Sequence, residues 1–435
     1  MGLPITTTAS ISVPEANSFG ATVLQPQGDN SNGRGGCPFI ANTHNNGTPD
    51  TAHANITQQA TPAEPAAPLG ILNKLENRTF TGRGFNTIFR PHSTSSPTTL
   101  DVNPVLPQGL LPDNILQLNI THETQVFAPG LGHVPNRGLM KQQDIDLNGV
   151  PYTQTIYDIT EVLPNTTPPV IHFEPGLWMH VPTTTIPNLK TSLARMASIP
   201  HGTTINAQCF SDPSSSVGAP NIPSVDITPF PVGSHDRFHF PSQNANDPAT
   251  FRLPQNLAPF TKANTITQAM IDDPNTVLKN ANKGKDIVEN TFYTITTKPT
   301  DTNFGGGTSN IGFLVGDGQQ NLKLPSRANA NATSMEAQYW ISTVRTNIQL
   351  EPWKPSANET CKHFSPLPVR DGEEVPVFEV HFPISQAKTV AVTYTQLQYT
   401  QNVTLDFAGL SWPHVTVGTL VQTTPTVLDA SVLNQ

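Results

Sequence analysis

Along most of the chain apolar and polar positions alternate with a two-residue period, the spacing of a β-strand whose successive side chains point to opposite faces. The pattern is clearest over 170–181, VIHFEPGLWMHV. One face carries His172, Glu174, Gly176, Trp178 and His180, and the other Ile171, Phe173, Leu177, Met179 and Val181. A carboxylate and two imidazoles beside an indole and a glycine suit a polar network in a cavity wall or a ligand site. They equally suit a half-exposed strand whose polar face meets water. The same period predicts strands over 78–91, 114–127, 144–158, 290–297, 310–316, 337–350, 388–407 and 409–420, and a pair over 193–207 broken at Pro200-His201-Gly202.

Other signals divide these runs. Residues 68–75 read as an apolar turn of helix or 3₁₀ helix, and Gly82 and Gly84 inside the first strand mark a bend or a close backbone approach. Asn148-Gly149 between β-formers predicts a hairpin turn. The same residues, Asp144-x-Asp146-x-Asn148-Gly149, imitate the start of a calcium loop, but its twelfth position is Thr155, not the bidentate Glu, and the turn is preferred. Gly305 to Gly307 reads as a bend, because no Gly-Lys-Ser/Thr follows. Helical patterning is confined to 263–270 and to a run opening at Asp273-Pro274.

Composition agrees with a mainly β chain: only 13% of the 435 residues are charged, while Pro (43) and Gly (29) supply turns for many short strands. The division read here is a flexible or extended N-terminal arm over 1–66, a barrel domain over 67–425 with an insertion at about 210–290, and a tail over 426–435. The arm lacks the apolar content to offset ordering entropy, and the Pro-rich insertion reads as a lid or small subdomain. The net charge of −9 is spread without a Lys/Arg run, which argues against nucleic-acid partners. With neither a basic leader nor eighteen consecutive apolar residues, the expectation is a soluble, cytoplasmic protein away from membranes. Cys37, Cys209 and Cys361 are too few and too scattered for a disulfide framework or a zinc knuckle, although one bridge can form. Serine-hydrolase elbow, zincin, Cys-x-x-Cys and dinucleotide motifs are all missing.

The anchor run also carries a family likeness. His172-x-Glu174-x-Gly176-x-Trp178 resembles the His-x-Glu-x-Gly-x-Trp strand of the nitrobindin-like proteins, a calycin family of antiparallel barrels that hold a b-type haem at one mouth. Gly82 and Gly84 match the last two glycines of that family's Gly-x-Trp-x-Gly-x-Gly strand, with Phe80 in place of its Trp and Arg78 in place of its first Gly. Pro200-His201-Gly202 is similar to a family turn carrying the same residues in another order, and Pro413-His414-Val415 resembles the final strand that presents the iron ligand.

The resemblance implies a mainly β fold, an antiparallel calycin-type barrel. It implies haem b as cofactor, with His414 as the axial ligand of the iron and His172, Glu174, Trp178 and His201 around it. It further implies a ferric haem meeting nitric oxide, peroxynitrite or peroxide, with isomerase or weak peroxidase chemistry; no catalytic residue is assigned. From the residues alone, other readings stand. His414 is then a strand-end imidazole bonded to backbone, and His172 with Glu174 a structural network. A two-His-one-carboxylate metal site can be drawn from His172, Glu174 and His180 or His201. The barrel is otherwise a non-catalytic carrier of a small apolar ligand, as in lipocalins and fatty-acid-binding proteins.

Overall fold

The computed structural model describes residues 67–94, 103–162, 165–199, 202–298, 305–315 and 329–434. The expected arm over 1–66 and the Pro200-His201 tip lie outside the described residues. Ten strands carry the alternating runs: β1 (Arg78–Arg90), β2 (Ile115–Phe127), β3 (Ile145–Asp158), β4 (Val170–Val181), β5 (Ser192–Ile199), β6 (Thr203–Cys209), β7 (Asp286–Thr296), β8 (Asn331–Leu350), β9 (Lys388–Phe407) and β10 (Leu410–Gln422). Each pairs with the next, and β10 closes on β1 along a register from Phe80–Gln422 to Thr87–Val415. The result is a closed, antiparallel, up-and-down barrel of ten strands with a calycin-like architecture. Closure pairs the edges that an open sheet would expose. The narrowest seam joins β6 to β7 through Thr296–Gln208, and a short strand, Gly307–Asn310, continues along β6.

Ten strands enclose a wider lumen than the eight that side chains alone can fill. One end is filled nevertheless. There Phe80, Phe127, Tyr152, Trp178, Tyr293 and Tyr339 interlock, and the 3₁₀ turn Gly70–Lys74 seats Leu72 and Leu75 among them. Trp178 meets Tyr293 and Tyr339 edge-on, with ring centroids 5.8 and 5.1 Å apart. Each such buried aromatic side chain stabilises the fold by roughly 1.5–3 kcal/mol. The glycines of β1 serve its neighbour: a Cβ on Gly82 or Gly84 would lie 2.0 or 2.1 Å from a backbone carbonyl of β10. The two strands therefore approach more closely there than any side chain would permit.

Two further cores lie outside the lumen. The insertion, with helices α1 (Ala258–Lys262), α2 (Gln268–Asp272) and α3 (Asn275–Asn282), braces the outer wall, packing Phe240, Ile271 and Leu278 in one cluster with Phe85, Phe89 and Trp412. The strands β8 and β9, each of 20 residues, have apolar ends that carry a third core. On those ends sits a small sheet of Lys362–Phe364, Phe378–Val380 and Thr426–Val427, with the 3₁₀ turn Ala430–Asn434 adding Val432.

Three local expectations are corrected. Asn148-Gly149 is not a hairpin turn but lies inside β3. The Asn148 amide accepts from the backbone N–H groups of Gly132 and Gly149, and a Cβ on Gly149 would meet the Trp178 carbonyl at 2.6 Å. That pair therefore serves close packing of β3 on β4. The run 310–316 divides into the strand Gly307–Asn310 and a short helix, Gly312–Val315. Helix over 263–270 is displaced to α2, because the Thr267 side chain accepts from the Met270 N–H and starts the helix there.

Candidate functional site

The strand β4 is turned so that its polar face points into the barrel. His172 and Glu174 are 9% and 0% exposed, whereas Phe173, on the apolar face, is 46% exposed. Water therefore meets the hydrophobic side, and the imidazole and carboxylate must be satisfied within the lumen. Arg195, on the adjoining β5 and 1% exposed, supplies the countercharge. It forms an ion pair with Glu174 Oε1 through Nη2, donates from Nε to the Tyr152 hydroxyl at 2.7 Å, and donates from Nη1 to Tyr339 and Gln401 at 2.6 and 2.7 Å. The Tyr152 hydroxyl donates to the same Glu174 oxygen, and His172 Nε2 lies 3.2 Å from Oε2. Gly176 makes this possible, since a Cβ there would stand 2.5 Å from the Tyr152 ring.

Beside this group sits a second buried carboxylate. Glu123 on β2, 1% exposed, accepts from the Gln125 and Gln154 amides at 2.7 Å each and from the Tyr399 hydroxyl at 2.6 Å. Burial raises both carboxyls. For Glu174 the Arg195 charge, followed by the His172 hydrogen bond, outweighs it and holds the group at about 2. For Glu123 burial prevails over the hydrogen bonds from Tyr399, Gln125 and Gln154, and the carboxyl stays above its ordinary value.

The two groups reach the floor of a cavity in the lumen. Its polar part, of about 310 Å³, is lined by Asn86, Arg90, Asn119, Gln154, His172 and His414, among others. Its apolar part, of about 270 Å³, is lined by Ile199, Leu314, Ala330, Ala332, Val403 and Leu405. Ile88, His172, Gln401, His414 and Thr416 border both parts, which makes them one two-sided space. His414, on β10, is partly exposed. Its Nε2 lies 2.9 Å from the Asn86 amide nitrogen, which also donates to Thr416 Oγ1 at 2.8 Å, while the Asn86 oxygen accepts from Asn119 at 3.1 Å. With the Asn86 oxygen so engaged, its NH₂ faces the ring, and His414 Nε2 is an acceptor with the ring proton on Nδ1. Such a lone pair is what a metal or a proton donor would seek.

Of the residues singled out in sequence, His172 and His414 come together on this cavity and Glu174 supports it from below. Trp178 lies in the filled end, in contact with tyrosines. His180 is eight positions from His172, roughly 26 Å at 3.3 Å per residue, and packs under Gly70 of the 3₁₀ turn. Burial lowers its pKa there. His180 therefore cannot join His172 and Glu174 around a metal. His201 lies outside the described residues. Sequence reading missed Arg195, Tyr152, Glu123, Tyr399, Asn86 and Arg90. The available signal was Arg195 itself, a cation at an inward position between the apolar Leu193 and Ala197.

No family model, no curated protein and no solved structure matches this chain. No helix among the described residues is long and apolar enough to cross a membrane.

Proposed function

We propose that the cavity binds one small amphipathic ligand, and that this ligand is ferric b-type haem with His414 as the axial group. The observation that carries the reading is the two-sided wall: an imidazole acceptor at the border, an apolar half of aliphatic side chains, and a polar half that includes Arg90. Haem needs those three things, namely a neutral imidazole for iron, an apolar bed for the macrocycle and a cation for a propionate. Iron so held would offer an open coordination position to nitric oxide, peroxynitrite or peroxide. The residues of the chain have separate tasks. Asn86, fixed by Asn119 and Thr416, sets the His414 ring and must release Nε2 for ligation. The Glu174–Arg195 pair holds His172 at the floor and keeps the polar layer satisfied.

A non-catalytic carrier of a small apolar ligand is the second reading. It is favoured by one observation, that Asn86 already occupies the His414 lone pair. Absorption titration with hemin separates the two. The haem reading predicts a Soret band saturating at about one haem per chain, with His414→Ala shifting the band and weakening binding by at least about tenfold, the usual loss when a metal site is disturbed. Saturable uptake indifferent to His414→Ala leaves the carrier reading. Unsaturable uptake by the wild type ends the haem reading.

A further inference from the structure

The small sheet on the ends of β8 and β9 carries a second group of ligating side chains, unrelated to the lumen. His363 lies directly opposite Glu379 in the antiparallel pair Lys362–Phe364 with Phe378–Val380. His381 follows Glu379 by two positions and so shares its face. His363 Nε2 is 2.8 Å from one Glu379 oxygen and His381 Nε2 is 2.6 Å from the other. Both imidazoles reach solvent, with side-chain exposures of 44% and 47%, while the carboxylate between them is 18% exposed. Elsewhere among the described residues, His122 pairs with Glu374, His133 with Asp146, and His172 with Glu174.

We propose that His363, Glu379 and His381 form a site for a divalent transition metal of the zinc class. Imidazole nitrogen and carboxylate oxygen are the ligands such ions prefer, at about 2.0–2.2 Å from the metal. Those bond lengths set neighbouring ligand atoms around a tetrahedral ion about 3.3 Å apart. The two imidazoles meet different oxygens of Glu379, at 2.8 and 2.6 Å, so a shared ion requires both half-exposed rings to turn toward it by side-chain rotation. The backbone under the ligands is held by the buried Phe364, Phe378 and Val380 of the third core. Cys361 Sγ lies within 4.8 Å of the His363 and Glu379 ligand atoms, yet it is held in a disulfide and supplies no thiolate. Three protein ligands facing solvent leave a fourth position for water. A bound ion would tie the two strands of the small sheet together.

The test is calorimetric titration of the full chain with zinc, repeated on His363→Ala, His381→Ala and Glu379→Gln, with His133→Ala as the control. The expected result is one high-affinity zinc per chain, weakened at least about tenfold by each of the three substitutions and unchanged in the control. Thermal melts of the metal-free variants that match the wild type show that the sheet has folded. Cobalt in place of zinc gives visible d–d bands without a thiolate charge-transfer band. Absence of saturable zinc uptake, equal uptake by the His363→Ala and His381→Ala chains, or a thiolate band would overturn the assignment.

Discussion

Glu174 and Glu123 lie in the same polar layer of one barrel, both buried and both fully hydrogen-bonded, yet their environments push them in opposite directions. The largest difference is one residue. Arg195 places a guanidinium against Glu174, whereas the hydrogen bonds to Glu123 come from neutral amides and a phenol. A counterion in a low-dielectric lumen outweighs the cost of desolvating the carboxylate; neutral donors, even three of them, do not. The layer is thus a charged half that is fixed and a half that holds a proton more readily, both reaching the cavity floor through Tyr399, Gln154 and His172.

The strongest way to break the contrast is to remove the counterion. Arg195→Met leaves Glu174 buried without its charge partner and strips the Tyr152, Tyr339 and Gln401 contacts. Breaking a buried pair of this kind costs about 3–5 kcal/mol, which urea unfolding at neutral pH will read. A loss below about 1 kcal/mol, the range of an exposed pair, would show that water reaches this layer.

Sharpening it from the other side gives a smaller effect. Glu123→Gln keeps the shape and removes the charge, and should change stability at neutral pH by no more than about 1 kcal/mol. Its signature lies in pH dependence. A folded-state carboxyl raised above 4.5 binds more protons in the folded chain than in the unfolded one, so stability falls as pH rises from 4.5 through the folded value. Glu174, lowered to about 2, contributes stability that is present above 4.5 and lost as pH falls from 4.5 toward 2. The Glu123→Gln chain should therefore lose the decline above pH 4.5 and keep the acid loss below it. Unfolding free energies across pH 2–8 check both limbs, and an unchanged upper limb would contradict the assignment to Glu123.

Much of the barrel was legible because alternation is a local signal. Runs such as 388–407 and 114–127 emerged nearly as the strands that form. Orientation was not legible: the period of β4 separates its faces but does not say which meets water, and the intuitive choice of the polar face is inverted because Arg195 and Tyr152 come from other strands. Asn148-Gly149 misled for a related reason, since its chemistry suits a turn while its place, against the Trp178 carbonyl, calls for a small residue within a strand. For the site, His172, Glu174 and His414 were within reach of motif spacing. Asn86 and Glu123 were not, because Asn86 acquires its role only where β1 meets β10, and Glu123 only where β2 meets β3 and β9.

The most direct test of a single two-sided cavity is competition between hemin and an apolar acid probe, anilinonaphthalene sulfonate, followed by the probe's fluorescence. One probe per chain, displaced completely by an equivalent of hemin and bound less tightly after Arg90→Ala, is the predicted outcome. Uptake of several probes per chain, with no displacement by hemin and no response to Arg90→Ala, would contradict it.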